Sequence, residues 1–318
     1  MTEPDVTAAQ WMAQVARACA LEPGRILAGS SGAVTFEARR DGDAVIVKVA
    51  SQPLGLAREV GVLSLLDGRC PLVPRLIDAG TLGAQTYFIQ HRLPGTNLAS
   101  LEELGTDDDR RRACHSMGAA LSIVQHCADG PELLAGRFWR HNTDLGIEYP
   151  GWAPYVELQA RKWRSRLRLT EADDRTGVST AVAEVFRLLA ETELDDRLDL
   201  IHGDYTTRNV LFEPGGQRVS GIVDYETAMI GDGLYDLGKT VWLDMPIDDE
   251  DARRALAQGW ESTSQRVASD RLLAVYAGVQ CLAAMAWCDV RQGAAGAADF
   301  RARAAGVLRH LSERHWRL

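Results

Sequence analysis

The sequence is poor in several features that would assign it to particular protein classes. Its 318 residues include six cysteines with no C-x-x-C pair, so we expect neither a zinc site nor a disulfide framework. No apolar run approaches the ~18 residues that a membrane span needs. The acidic N-terminus lacks the apolar segment of a secretory signal. We therefore predict a cytoplasmic protein without a membrane partner.

Positive charge is also scarce, and lysine is the scarcest basic residue. The net charge of −9 argues against a nucleic-acid surface, which depends on clustered cations. Only three of the 35 basic residues are lysines, namely Lys48, Lys162 and Lys239. A lysine that is retained in so arginine-rich a chain is a candidate for a specific role.

The apolar pattern predicts an α+β fold that begins with a small sheet. A helix over residues 7–20 precedes five short strands, which lie between residues 20 and 92 and form an antiparallel sheet. Asp41-Gly42 is a strong hairpin-turn signal between the second and third strands. One helix, from Pro53 to about Leu66, is inserted after the third strand.

The remainder of the chain is predicted to be mainly helical. A helix capped by Thr106 follows the sheet, and short strands and loops occupy residues 199–226. Further helices are predicted at about 152–168, 175–192, 250–264, 269–290 and 294–315, with an irregular stretch at 131–150. Leu93-Pro94-Gly95 is the best boundary. It predicts two lobes, residues 1–92 and 93–318, with a hinge near residues 90–95.

Three polar residues between apolar, strand-forming segments carry the strongest functional signal. Asp204 is followed by Asn209 five residues later and by Asp224 fifteen residues beyond that. Phosphoryl transfer needs one carboxylate to orient an acceptor hydroxyl, and an amide and a carboxylate to hold Mg²⁺ on nucleotide phosphates. A polar turn is the alternative for each residue alone. The full spacing predicts a kinase, with Asp204 catalytic and Asn209 and Asp224 as metal ligands.

Lys48 is the upstream residue that suits this chemistry. It interrupts the apolar strand Val45–Val49, and a buried ammonium needs a partner, for which Glu59 in the following helix is well placed. A lysine held in this way can contact nucleotide phosphates. A surface lysine on the open face of the strand is the alternative.

Two weaker signals complete the predicted nucleotide site. Gly29, Ser30, Ser31 and Gly32 join the first two strands, and such a loop can fold over phosphates through its N–H groups, although an ordinary hairpin turn has the same composition. Gln90, His91 and Leu93 lie between the sheet and the helical part. In a two-lobed kinase this segment binds adenine.

The chain resembles the aminoglycoside phosphotransferase family of the protein-kinase-like superfamily, whose members are small-molecule antibiotic kinases. The resemblance covers nearly the whole length. It rests on Val47-Lys48-Val49, Glu59, Leu93-Pro94-Gly95, Ile201–Phe212, Ile222–Glu226 and Gly231–Leu237. It implies a two-lobed protein-kinase-like fold with a five-stranded antiparallel sheet and helix in the N-terminal lobe and a larger, mainly helical C-terminal lobe.

The resemblance also implies residue roles and cofactors. Asp204 would be the catalytic carboxylate, Asn209 and Asp224 the Mg²⁺ ligands, and Lys48 the contact to the phosphates of ATP or GTP. His202 and Asp236 would be structural, with Asp236 tying the catalytic loop to the following helix.

Departures from protein kinases narrow the substrate class. Gly203 replaces the Arg that answers a phosphorylated activation loop, Asp224-Tyr225-Glu226 replaces Asp-Phe-Gly, and no Ala-Pro-Glu follows. We therefore expect a small-molecule acceptor and no protein substrate, in a monomer or homodimer. Arg208 stands where the family has a small residue, and Gly233 where it has Pro. Arg208 is predicted to contact phosphate, an anionic part of the acceptor, or a surface carboxylate.

The acceptor itself is less well specified by the sequence. Candidate contacts are Glu226, Arg208, Asp144, Trp152 and Tyr155, with helix packing as the alternative role of the aromatic residues. The favoured function is phosphorylation of a sugar hydroxyl on an aminoglycoside or nucleoside antibiotic, which would give resistance. A metabolic kinase acting on choline, homoserine, a ketosamine or a thiosugar is the alternative. An inactive kinase-like binding module is a third possibility.

Overall fold

The computed structural model describes residues 8–29, 33–51, 53–128, 151–194, 199–246, 248–291 and 296–314. The N-terminal elements are α1 (Ala8–Ala18), β1 (Glu22–Gly29), β2 (Ala33–Arg40), β3 (Asp43–Ala50), α2 (Pro53–Leu66), β4 (Leu76–Leu82) and β5 (Gln85–His91). The strands form one antiparallel sheet in the order β1-β2-β3-β5-β4. This is the sheet, with its inserted helix, that the sequence predicts.

The turn between β2 and β3 confirms the predicted hairpin. Asp41 and Gly42 both adopt positive φ, at 54° and 90°. Paired left-handed residues in a two-residue turn match the right-handed twist of the flanking strands. The register therefore runs without a shift from Arg40↔Asp43 to Ala33↔Ala50.

Strand β3 has one face of buried valines and a second face that carries Lys48. Val45, Val47 and Val49 are fully buried in a cluster that includes Trp11 and Val15 of α1. Because side chains alternate along a strand, Lys48 faces the other side of the sheet. On β5, Phe88 is the partner of Lys48 and Gln90 is the partner of Ile46. Lys48 and Gln90 consequently share the face that is turned away from α1.

The rest of the described chain is mainly helical. Its elements are α3 (Asp107–Cys127), α4 (Trp152–Arg166), α5 (Glu171–Arg175), α6 (Val178–Glu191), β6 (Asp199–Ile201), β7 (Val210–Phe212), β8 (Val219–Ile222), β9 (Met229–Gly231), α7 (Leu234–Asp244), α8 (Glu250–Ser264), α9 (Asp270–Val290) and α10 (Ala297–Glu313). Single 3₁₀ turns occupy Leu101–Glu103 and Tyr225–Thr227. Thr106 caps α3 by accepting from the Asp109 N–H, as predicted. Strand β6 pairs with β9, and β7 pairs with β8.

Two helices were not predicted from the apolar pattern. Helix α5 is a short turn before α6, and α7 follows β9 directly. Helix α7 carries polar residues and a central glycine, which weaken its pattern. Gly238 lies against α9, where an added Cβ would come within 2.9 Å of Tyr276 Cβ. The glycine therefore permits a close helix–helix approach that local propensity does not reveal. The predicted irregular stretch 131–150 lies outside the described residues.

Helix α9 has an unusually apolar composition. Among the described residues it is the helix that is long and apolar enough to cross a membrane, with a mean hydropathy of 1.5 over its apolar window. However, 83% of that window is buried inside the protein. A central helix of a folded core meets the same criteria of length and composition.

Candidate active site

The loop between β6 and β7, residues 202–209, is held at its start by a buried carboxylate. Asp236 on α7 accepts hydrogen bonds from the His202 N–H at 2.6 Å and the Gly203 N–H at 2.8 Å. Burial raises the pKa of Asp236 to about 7, although the two N–H donors oppose the shift. These bonds fix the direction in which the chain leaves β6, and therefore the position of Asp204.

Gly203 is required by the backbone at this point. Its φ of 83° lies in the left-handed region, and an added Cβ would collide with the carbonyl oxygen of Thr227. Thr227 Oγ1 also donates to the His202 carbonyl oxygen at 3.1 Å. The glycine allows the segment after Asp224 to lie directly against the loop.

His202 connects the loop to the strand that precedes Asp224. The Asp204 N–H donates to its Nδ1 at 3.2 Å, and its Nε2 lies 2.9 Å from the Val223 carbonyl oxygen. Nδ1 therefore accepts, and Nε2 carries the proton that is donated to Val223. Burial lowers the pKa of His202. A neutral imidazole with one fixed tautomer thus braces both sides of the site.

Asp204 and Asn209 contact each other across the loop. Asn209 Nδ2 donates to the Asp204 carbonyl oxygen at 2.9 Å and to its Oδ2 at 3.1 Å. The Val223 N–H donates to the Asn209 carbonyl oxygen at 2.9 Å. The residue after Val223 is Asp224, so the three polar residues singled out from the sequence are brought together.

Lys48 reaches from the sheet to the same place. Its Nζ lies 2.8 Å from Glu59 Oε2 and 2.6 Å from Asp224 Oδ1. Asp224 has a left-handed φ of 72°, a conformation that Asp tolerates better than most residues. One ammonium group therefore joins β3, α2 and the segment after β8.

Burial and the attraction between opposite charges compete within this group of three residues. Desolvation disfavours the ammonium of Lys48, but the carboxylates of Glu59 and Asp224 outweigh it and raise the pKa of Lys48. Burial raises the pKa of Glu59 against the attraction of Lys48. The Glu59 side chain is 1% exposed, so removal of the lysine would leave a carboxylate inside the protein without its counter-charge.

A cavity of about 410 Å³ opens between the sheet and the loop. Its lining includes Lys48, Gln90, Leu93, Arg208, Asn209 and Asp224. Gln90 is 3% exposed, and its Oε1 has no hydrogen-bond partner in the described structure. A buried amide oxygen without a partner is costly unless a ligand supplies one. The cavity thus combines a cationic end near Lys48 with an amide near the end of β5.

Comparison of the sequence with models of known protein families gives a match over the region that contains this site. The model of the phosphotransferase enzyme family matches residues 25–272, a span that contains every residue of the site described above. The chain belongs to the phosphotransferase enzyme family. The resemblance proposed from the sequence motifs is therefore confirmed.

Curated relatives of this family member share only part of their length with it. Acyl-CoA dehydrogenase family member 11 of Homo sapiens is 23% identical over 49% of this chain and 25% of that protein. Hygromycin-B 4-O-kinase of Escherichia coli is 25% identical over 52% of this chain and 46% of that protein. The match thus spans between a quarter and a half of these relatives.

Solved structures resemble this chain over almost its whole length. The crystal structure of aminoglycoside phosphotransferase APH(4)-Ia has a TM-score of 0.69 at 18% identity, covering 95% of this chain and 99% of that one. A thermostable mutant of that protein, in ternary complex with AMP-PNP and hygromycin B, has a TM-score of 0.66 at 19% identity and covers 91% and 94% of the two chains. At these identities the likeness shows the fold, and it confirms the predicted protein-kinase-like α+β class.

The remaining residues of the predicted nucleotide site are placed only in part. Gly29 ends β1, whereas Ser30, Ser31 and Gly32 lie outside the described residues, so the phosphate-loop prediction stands as made. His91 ends β5, and its N–H donates to the Arg75 carbonyl oxygen at 2.9 Å. The division into two lobes with a hinge near residues 90–95 also stays a prediction.

The predicted acceptor residues do not form one group. Arg208 lines the cavity that contains Lys48, and Glu226 is an exposed residue two positions after Asp224. Trp152 is 2% exposed and donates to Tyr276 Oη at 2.9 Å, so its ring packs in the core and is closed to a ligand. Tyr155 stacks on Trp152 with ring centroids 5.5 Å apart. Asp144 lies outside the described residues.

Two polar residues of α7 near the loop were not assigned a catalytic role from the sequence. Lys239 Nζ lies 3.1 Å from Asp204 Oδ1, and Asp244 Oδ2 accepts from the Thr207 N–H at 2.7 Å. The scarcity of lysine was the one signal that pointed to Lys239. Its partner is 35 residues away in sequence, so spacing alone could not reveal the pair.

Proposed function

We propose that the protein transfers the γ-phosphoryl group of ATP or GTP to a hydroxyl group of a small molecule. We infer further that the acceptor is a sugar hydroxyl of an aminoglycoside or nucleoside antibiotic. One observation carries the proposal. Lys48, Asn209 and Asp224 line a single cavity, while Asn209 also binds the carboxylate of Asp204 at 3.1 Å. A phosphate-binding region and a carboxylate for the acceptor thus lie next to each other.

In this reaction Asp204 orients the acceptor hydroxyl toward the γ-phosphorus. The new bond between the acceptor oxygen and phosphorus forms as the bond from phosphorus to the β,γ-bridging oxygen breaks. The nucleoside diphosphate leaves with the electron pair of that bond, and Asp204 accepts the hydroxyl proton late. Lys48 contacts the phosphates, and its Nζ is held in place by Glu59 Oε2 at 2.8 Å. Most of the rate acceleration comes from positioning and electrostatics.

Asn209 and Asp224 are the residues that would hold Mg²⁺. Amide and carboxylate oxygens, together with phosphates and water, are the ligands that this ion prefers. Asn209 uses Nδ2 for Asp204, so its Oδ1 takes no part in that contact, and the Asp224 side chain is 36% exposed. Within the described ranges no three His, Cys, Asp or Glu side chains gather to hold a metal alone, which fits an ion shared with the nucleotide. When bound, Mg²⁺ neutralises charge on the β- and γ-phosphates.

A carboxylate near the loop supports a cationic acceptor. Glu226 is an exposed carboxylate two residues after Asp224, and partial desolvation, with a further contribution from Asp224, raises its pKa. A second cavity of about 580 Å³ is lined by Asp244, which accepts from Thr207, but by no residue of the loop itself. The relative from Escherichia coli is named as a kinase of hygromycin B. A carboxylate near the metal ligand is a polar group that can bind a cationic acceptor.

The test is an acceptor screen that measures release of ADP or GDP, followed by mass analysis of the product. The panel contains aminoglycosides including hygromycin B, nucleoside antibiotics, and the metabolic acceptors choline, homoserine, a ketosamine and a thiosugar. We expect turnover with an antibiotic, a product heavier by one phosphoryl group, and raised resistance in a sensitive host. Turnover with a metabolic acceptor alone would replace the acceptor part of the proposal.

The variant Asp204→Ala tests the catalytic assignment in the same assay. Because removal of a general base costs roughly 10²–10⁴-fold in rate, we expect turnover to fall by that amount while nucleotide binding is retained. Unchanged turnover in this variant would contradict the role of Asp204. Absence of turnover in the parent with every acceptor would favour a binding module.

A further inference from the structure

Lys239 is a second lysine at the loop, and it contacts Asp204, whereas Lys48 contacts Asp224. Lys239 Nζ lies 3.1 Å from Asp204 Oδ1, and Asn209 Nδ2 lies 3.1 Å from Asp204 Oδ2. Both oxygens of the carboxylate are therefore engaged, one by an ammonium and the other by an amide. A carboxylate held at both oxygens cannot rotate freely about its last side-chain bond.

Helix α7, which carries Lys239, is fixed to the loop along its length. Asp236, Thr240 and Asp244 are spaced four residues apart and so lie on one face of the helix. Thr240 Oγ1 donates to the Tyr205 carbonyl oxygen at 2.9 Å. Asp236 accepts from the start of the loop, and Asp244 accepts from Thr207 at 2.7 Å. One helical face thus binds the loop backbone at its beginning, middle and end.

Lys239 differs from these three residues in what it contacts. They bind backbone groups of the loop, whereas Lys239 binds the side-chain oxygen of Asp204. The Asp204 side chain is 39% exposed and that of Lys239 is 22% exposed. A pair this open adds little to stability, because water screens it. The geometry is therefore better explained by an effect on Asp204 than by an effect on folding.

We propose that Lys239 is a positioning residue for the transfer reaction, which orients the Asp204 carboxylate toward the acceptor hydroxyl from the side opposite Asn209. The inference rests on the proposed function of the same site. An ammonium 3.1 Å from the carboxylate also lies next to the place where the acceptor hydroxyl loses its proton. Lys239 therefore keeps a positive charge close to the reacting oxygen, as Lys48 does at the phosphates.

The test uses Lys239→Met, which keeps the length of the side chain but removes its charge, and Lys239→Arg, which keeps the charge. The control is Lys162→Met, since Lys162 is the remaining lysine of the chain and lies 5.1 Å from the ring centre of Trp163 on α4. For each variant we would measure kcat, the KM of the nucleotide, nucleotide affinity and the melting temperature.

We expect Lys239→Met to lower kcat by on the order of 100-fold, the size of the loss when one preorganised electrostatic group is removed. The KM and affinity of the nucleotide should stay within about threefold, and the melting temperature should stay close to that of the parent. Lys239→Arg should recover part of kcat, and Lys162→Met should match the parent. A kcat for Lys239→Met within about threefold of the parent would overturn the proposal, as would a loss of kcat matched by a loss of stability.

A double variant separates this inference from the function on which it rests. If Lys239 acts through Asp204, adding Lys239→Met to Asp204→Ala should lower the residual rate no further. Additive losses would show that Lys239 acts elsewhere, which contradicts the positioning role but leaves the kinase intact. Two other results would overturn the proposed function and this inference with it. The first is a parent protein that binds nucleotide but shows no turnover, and the second is a turnover rate that Asp204→Ala does not change.

Discussion

The site contains two lysine–carboxylate contacts that differ in burial. On the proposed nucleotide side, Lys48 joins Glu59, which is 1% exposed, to Asp224. On the acceptor side, Lys239 contacts Asp204, whose side chain is 39% exposed. A buried pair is costly to break because it leaves an uncompensated charge, whereas an exposed pair is screened by water. A substitution at Lys48 should thus lower both activity and stability, whereas a substitution at Lys239 should lower activity alone.

The largest expected effect comes from breaking the buried contact with Lys48→Met. We expect a loss of activity of on the order of 100-fold or more, with a loss of about 3 kcal/mol in the free energy of unfolding at pH 8. Urea unfolding and steady-state kinetics measure the two effects. The double variant Lys48→Met/Glu59→Gln should regain stability but not activity. Equal stability of Lys48→Met and the parent would contradict the contrast between the two sides.

The stability of Lys48→Met should also depend on pH, which tests whether the buried Glu59 carboxylate causes the loss. The pKa of Glu59 is already raised by burial in the parent, and loss of Lys48 removes the main attraction that opposes the rise. A carboxyl group whose pKa is higher in the folded than in the unfolded protein stabilises the folded state fully at a pH below its unfolded-state pKa. This stabilisation is lost as the pH rises through the folded-state pKa. The variant should therefore be less destabilised near pH 5 than at pH 8. A destabilisation that does not change with pH would exclude Glu59 as its cause.

A smaller effect is expected at the carboxylate that fixes the loop. Asp236 has a pKa of about 7, raised by burial from 3.8, so its contribution to stability is complete below pH 3.8 and declines as the pH approaches and passes 7. Asp236→Asn should flatten this part of the curve of stability against pH. It should also cost about 1–3 kcal/mol, since an amide accepts through only one of its two terminal atoms. Asp299→Asn, at an exposed position of α10, is the control in urea unfolding across pH 4–8.

A substitution at Gln90 tests whether the end of the cavity near β5 contacts the nucleotide. Its Oε1 has no partner in the described structure, so Gln90→Leu should raise the KM of the nucleotide about tenfold, as expected for one lost hydrogen bond, without lowering stability. Gln85→Leu is a matched control, because Gln85 lies on the same strand and its Oε1 also lacks a partner among the described residues. An equal effect of the two variants on KM would argue against nucleotide contact by Gln90.

The smallest effect is expected for Arg208→Ala, which decides between the roles considered from the sequence. Arg208 lines the same cavity as Lys48. The variant should raise the KM of the nucleotide a few-fold, as for an exposed charge contact, and leave the KM of the acceptor unchanged. Arg218→Ala, which removes an exposed arginine near Glu213, is the control. A change confined to the acceptor KM would place Arg208 on the acceptor side of the comparison.

Local signals were enough to predict much of the fold. Asp41-Gly42 has the composition of its turn, and Pro53 begins α2 as expected. Alternation along β3 identified Lys48 as exceptional because its strand neighbours are apolar. Helix α7 was missed because Gly238 and its polar residues lower local helix preference, while packing on α9 stabilises the helix in the fold.

The aromatic residues show where composition is not enough. Trp152 and Tyr155 were weighed as substrate contacts or as packing residues, and the sequence is the same for both roles. Burial of Trp152 and its hydrogen bond to Tyr276 place it in the core. That information depends on α9, which is more than 100 residues away in the chain.

The sequence by itself determined the family and the five-stranded sheet and supplied a list of candidate residues for phosphoryl transfer, because each depends on local spacing. Only the tertiary structure decided which side chains share the site. The fold places Lys48 beside Asp224, 176 residues away in sequence, and Lys239 beside Asp204. It also buries Trp152 in the core. Such contacts follow from the packing of the sheet and α7 against the loop, and no local pattern encodes that packing.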